Sequence, residues 1–165
     1  MGIGRNLEPA CARPARRPVD SNGLVVRGRG PPMGRYSTGL QVRFRDIDPL
    51  YHVSHTVYVV YMQQARLAFC EEVLALADSD WDTVVVHLEL DYESEVSFGD
   101  DLVAETWITD VGSSSFTMAY EVSANGTVAV TGESVQVVID AETGEKTDVP
   151  DEWRERFEAY RDDGP

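Results

Sequence analysis

From Thr38 the chain alternates, with Leu40, Val42 and Phe44 on one side and Gln41, Arg43 and Arg45 on the other. That predicts a strand with one buried face. After a turn at Pro49, Ser54 is placed to cap a helix over about residues 55–77. Residues 57–62 are apolar on every side, which predicts a helix wrapped by other elements. Four strands are expected next, over about 84–95, 101–111, 114–124 and 127–140. In the third of these Phe116, Met118, Tyr120 and Val122 alternate with Thr117, Ala119 and Glu121, and Asn125-Gly126 signals a type I′ hairpin into the last. Pro150 introduces a short helix through Trp153 and Phe157. A strand, a long helix and an antiparallel meander make an α+β domain, and more than one sheet-and-helix fold would satisfy that pattern.

Composition changes the picture at the N-terminus. Residues 1–35 are rich in Arg, Pro and Gly without a sustained period, and read as a disordered basic tail before a domain at 36–165. The tail holds seven Arg against Glu8 and Asp20, which leaves 7 basic and 27 acidic groups on the remaining residues. Lys146 is the chain's single lysine. A domain this acidic repels itself in dilute salt and is screened in concentrated salt, which suits a halophilic interior. It also argues against nucleic acid as a partner.

No apolar run approaches the roughly 18–20 residues of a membrane span, so no membrane association is expected. The start lacks the apolar core of a secretory signal, and Arg16-Arg17 is not followed by a twin-arginine core; the expected location is cytoplasmic. Cys11 and Cys70 make no disulfide framework.

The candidate chemistry lies between Arg43 and Tyr61, which include Asp46, Asp48, His52 and His55. A carboxylate beside a helix N-terminus faces N–H groups that have no partner within the helix. A base or nucleophile and an oxyanion donor in one loop suit acyl transfer. Taken alone, Asp48-Pro49 is as well explained by turn formation or helix capping. His52 and His55 with an aspartate lack a third strong ligand for a metal, so no metal or cofactor is expected. Ser54, His52 and Asp48 have no Gly-x-Ser-x-Gly elbow around them.

Asp48 with His52-Val, then Tyr58-Val-Val-Tyr61, Ala65-Arg66 and Phe69, resembles the 4-hydroxybenzoyl-CoA thioesterase group of hot-dog acyl-CoA thioesterases. Leu90-Asp-Tyr92, Phe98-Gly99-Asp100, Gly112-Ser-Ser-Ser115-Phe116 and Asp140-Ala-Glu-Thr-Gly144 follow in that family's order, so the likeness covers roughly residues 36–160. The resemblance implies a hot-dog fold, with an antiparallel sheet wrapped around a long central helix. It implies hydrolysis of acyl-CoA, no cofactor, and assembly as a homodimer or dimer of dimers, including a homotetramer.

It also implies roles. Asp48 matches the catalytic aspartate, and the backbone N–H of His55 matches the donor to the thioester oxygen. His52 matches a histidine that orients the loop or the thioester. Tyr58 and Tyr61 are candidate pocket walls, Ser113 and Ser114 belong to a loop that contacts coenzyme A in relatives, and Asp46 reads as structural.

The chain departs from the pattern in places. Tyr51 stands where relatives often have Gly, which makes it a candidate liner of the acyl pocket, and Ser54-His55 replaces a frequent Asn-Asn. Gln63 and Gln64 stand where another thioesterase type carries a catalytic Glu, and Glu71 and Glu72 lie too far along the helix to serve. Because the family-like domain begins just after it, Met33 is read as the natural start. A hot-dog enoyl-thioester hydratase and a non-catalytic acyl-thioester-binding module are the alternatives.

Overall fold

A computed structural model of the chain describes residues 34–76 and 79–162. The basic tail and Met33 lie outside the described residues. Five strands, β1 (Tyr36–Gln41), β2 (Trp81–Tyr92), β3 (Asp101–Val111), β4 (Ser115–Ala124) and β5 (Thr127–Asp140), form one antiparallel sheet in the order β1-β3-β4-β5-β2. Helix α1 (Val57–Glu72) lies on one face of it, and α2 (Asp151–Phe157) closes the end where Trp81 begins β2.

The alternation in β4 holds only in part, since Thr117 and Ala119 of the other face are buried too. Phe116, Met118, Tyr120 and Val122 are all buried beneath α1, in register with Gln136, Ser134, Gly132 and Val130 of β5. A Cβ on Gly132 would collide with the Met62 methyl and the Glu89 carbonyl, so α1 comes close to the sheet only over a residue without a side chain. The hairpin at Asn125-Gly126 has φ of 52° and 86°, as a type I′ turn requires. Trp153 and Phe157 of α2 pack on Phe116, with ring centroids 6.4 and 4.8 Å away. Full burial of a ring such as Phe157 is worth roughly 2 kcal/mol.

Several expected boundaries move. The first strand ends at Gln41, and Phe44 opens a 3-10 turn and is 84% exposed, because the Asp46 carboxylate accepts the Arg43 N–H and folds the chain back. The second strand runs 81–92 rather than 84–95. Helix α1 is 16 residues long, shorter than the span 55–77, and Ala75 sits in the left-handed region with φ 54°. Ser54 does not cap it with its side chain; its carbonyl accepts the Val57 N–H at 2.9 Å and Thr56 is the boundary residue. The first half of α1 is not enclosed on all sides either, since the chain by itself leaves Val59 and Val60 exposed. Pro150 stands immediately before α2 as its boundary residue, as expected of a proline that introduces the helix.

Candidate active site

The loop between β1 and α1 is fixed from both ends. Asp46 is buried, its Oδ2 accepts the Arg43 N–H at 2.8 Å and the Tyr61 hydroxyl at 3.1 Å, and its carbonyl accepts the Ser54 N–H at 2.9 Å. Burial first, and then the Asp46 charge, push the Tyr61 phenol well above its ordinary range, so it stays a donor. Within this frame the Asp48 N–H donates to the His52 carbonyl at 2.9 Å and the Tyr51 N–H to the Asp48 carbonyl at 3.0 Å. The resulting hairpin places Tyr51 at φ 68°, the conformation a glycine would take most easily.

Asp48 Oδ1 accepts the Leu50 N–H at 2.8 Å, so the turn-forming role is real. It occupies one oxygen. Oδ2 has no protein donor among the described residues and belongs to a half-buried side chain. The carboxylate borders a cleft of ≈ 350 Å³, with His52, His55 and Tyr58 on its own side and Tyr92, Glu93 and Glu95 from the end of β2 opposite. His52 Nε2 lies 3.2 Å from the Glu95 carboxylate, which holds the ring across the cleft. The Tyr92 hydroxyl donates to the His55 carbonyl at 3.0 Å, and its ring stands edge-on to Tyr58 at 5.5 Å. The His55 N–H has no acceptor among the described residues. It lies just ahead of the first turn of α1, where the helix dipole favours negative charge.

Asp48, His52, His55 and Tyr58 are therefore brought together. Tyr51 is not with them: its ring is 82% exposed at the hairpin tip. Tyr61 is buried under the loop and supports it through Asp46 rather than lining the cleft. Ser113 and Ser114 lie at the other end of the sheet, in the β3–β4 turn, where Arg154 Nη2 donates to the Gly112 and Ser113 carbonyls at 2.7 and 2.9 Å. Tyr92 and Glu95 were missed from sequence. Tyr92 closes a strand and reads there as one more exposed aromatic. No group of three or more His, Cys, Asp or Glu side chains among the described residues is arranged to hold a metal ion.

The family model of the thioesterase-like superfamily matches residues 42–157. The chain belongs to that superfamily. The thioesterase is 24% identical over 110 residues to YneP of Bacillus subtilis, provisionally named an acyl-CoA thioesterase, a match covering 63% of this chain and 79% of YneP. A thioesterase from Thermus thermophilus, solved with coenzyme A and Zn, is 32% identical, with a TM-score of 0.67 over 78% of this chain and 94% of that one. The structure of a predicted thioesterase from Bacillus stearothermophilus aligns with a TM-score of 0.73 at 25% identity, over 79% of this chain and 99% of its own. The sheet and helix are those of the hot-dog fold, and the protein is a thioester hydrolase. No helix among the described residues is long and apolar enough to cross a membrane.

Proposed function

We propose that this thioesterase hydrolyses acyl-CoA, with Asp48 as base or nucleophile and the His55 N–H as oxyanion donor. One observation carries the proposal: a carboxylate with a free oxygen and an unpartnered N–H at a helix start border the same cleft. Attack on the thioester carbon moves the carbonyl electron pair onto oxygen, where the His55 N–H meets it. A donor of this kind is worth roughly 3–4 kcal/mol. Collapse expels the coenzyme A thiolate, water supplies the hydroxyl of the product acid, and its remaining proton goes to the thiolate. His52, held by Glu95, orients the loop and the thioester; Tyr58 walls the cleft.

The same geometry supports a reading of the assembly. The turn carrying Ser113 and Ser114 lies at the Trp81 end of β2 and the cleft at the Tyr92 end, about 35 Å away for a twelve-residue strand. A second copy adding its own β2 antiparallel to this one would carry its Gly112–Ser115 turn to the cleft, where it could meet coenzyme A. Among the described residues β2 pairs only with β5, and Val84, Val85 and Val86 along it are exposed, as are Val59 and Val60 on α1. We propose a homodimer, or a dimer of dimers, with the site at the boundary, and a cytoplasmic setting.

The decisive variant is Asp48→Asn, which retains the Leu50 turn contact but can neither take a proton nor attack. Steady-state hydrolysis of an acyl-CoA panel in molar KCl should fall at least about a hundredfold, with folding intact. Turnover near that of the parent would remove Asp48 from the chemistry.

A further inference from the structure

A second hollow, of ≈ 170 Å³, lies between α1 and the sheet. Val59, Met62, Val85 and Leu88 give it apolar walls, and Arg66 with the Tyr120–Ser134 pair forms its polar part. Val59, Met62 and Arg66 follow each other at steps of three and four, so they share one side of α1. His55 lies two residues ahead of that helix. Tyr58 of the cleft and Met62 of the hollow are one turn apart on α1, and Tyr92 and Leu88 lie on one side of β2, so the hollow follows the cleft along the seam of the helix and β2.

The far end is unusual for a cavity of this kind. Arg66 has no carboxylate within ion-pair distance among the described residues, although the domain is rich in carboxylates. Arg66 and Tyr120 line the same hollow; burial pushes the Tyr120 phenol upward, and the Ser134 hydrogen bond and then the Arg66 charge pull against it. The Tyr120 hydroxyl and Ser134 Oγ are 2.7 Å apart, and Gln136 Nε2 donates to Ser134 Oγ at 2.8 Å. Gln136 is fully buried, and its Oε1, an acceptor with nothing to offer an anion, has no partner among the described residues. Arg66 is half-buried beside this apolar hollow and, with no carboxylate at hand, is open to an anion.

Size limits the anion. The helix from Val57 to Arg66 spans about 14 Å, and an arginine side chain leaning back toward the helix N-terminus narrows the gap from the His55 peptide to about 10 Å. A dry cavity of about 150 Å³ accommodates benzene, so this one takes about six heavy atoms. We propose that the thioesterase selects short acyl groups that end in a carboxylate, with Arg66 holding the far carboxylate while the thioester lies at His55. This rests on the acyl-CoA reading of the Asp48 cleft. An acyl group of about six carbons fits the seam, and adipyl-CoA and hexanoyl-CoA differ there only in the terminal group.

The test is the ratio of kcat/KM for adipyl-CoA over hexanoyl-CoA in molar KCl. The parent enzyme should favour adipyl-CoA by about tenfold or more, as expected where a built polar site meets an analogue lacking its partner. Arg66→Gln should bring the ratio to about one or below, and Arg66→Lys should keep part of the preference. A parent enzyme that prefers hexanoyl-CoA overturns the proposal. So does Arg66→Gln with an unchanged ratio, or a variant that loses assembly in light scattering, since Arg66 would then be pairing with a second copy. If hexanoyl-CoA is hydrolysed through Asp48 and the ratio stays near one throughout, only the selectivity falls. If neither thioester is turned over, the acyl-CoA reading falls with it.

Discussion

Tyr92 and His55 are 37 residues apart in the chain and joined by one hydrogen bond, the Tyr92 hydroxyl to the His55 carbonyl at 3.0 Å. The bond ties the end of an edge strand to the peptide that follows the free N–H. It fixes that peptide before substrate arrives, and donors already aimed at the developing charge cost no reorganisation during reaction. Tyr92→Phe keeps the ring that stands against Tyr58 and removes only the hydroxyl. Its kcat should fall about tenfold, roughly the worth of one hydrogen bond, with KM little changed. Steady-state kinetics with one acyl-CoA check this; a rise in KM at constant kcat would make Tyr92 a contact for substrate instead.

Tyr51 is held at φ 68° with its ring in solvent. A side chain in that region costs about 1–2 kcal/mol that glycine avoids. Tyr51→Gly should therefore be more stable than Tyr51→Ala by about 1 kcal/mol, because alanine keeps the strain. Urea unfolding of both variants at high salt measures the difference. Equal loss of turnover in both would show that the ring touches substrate despite its exposure.

The edge of β2 can be blocked without disturbing the core. Its register slips between Val85 and His87, which leaves Val86 bulged and 60% exposed. Val86→Lys places a charge on that edge, a device that discourages strand pairing. Light scattering should show a monomer and turnover should fall with it. A monodisperse monomer with full activity would end the boundary-site proposal.

Salt should act through identifiable pairs. On the outer face Glu105 is directly opposite Glu121, and Glu89 opposite Glu133. Arg35 reaches Asp162 at 2.9 Å, Glu105 at 3.4 Å and Glu121 at 3.6 Å, and it covers Trp107. The second pair has only neutral or weak partners, Thr109 and His87. Melting temperature should rise steeply from dilute to molar KCl. Glu133→Gln should be stabilising in dilute salt by about 0.5 kcal/mol, and the gain should shrink as salt screens the repulsion. A flat curve for the parent protein would show that the acidic composition carries no stability cost.

The meander was legible mainly through strands such as β3, where buried and less buried positions alternate; β4 buries Thr117 and Ala119 on its other face as well, and β2 has no buried residue in the chain alone. Ala75 was not legible as a helix end, since nothing local forbids alanine from continuing a helix and only the tertiary path turns it left-handed. Phe44 followed the strand's alternation in sequence, yet the bond from Asp46 to the Arg43 N–H takes the chain out of the sheet first. In the loop, the residues alone left Asp48 between turn former and reacting group, and only the family resemblance favoured the second role. Tyr92 could not be read, because its partner is a backbone carbonyl that no residue type announces.

Gly132 gives the site a mechanical dependence on a carbon that is absent. Met62 rests where that carbon would be, and Met62 is one turn beyond Tyr58 on the helix that follows His55. The unyielding contact there is the Glu89 carbonyl of β2, since the Met62 methyl is the free end of a flexible side chain and can swing aside. A methyl group added at Gly132 would therefore press on the pairing of β5 with β2 beside Leu90, two residues before Tyr92. The bare backbone of β5 thus protects the strand whose last residue holds the His55 carbonyl.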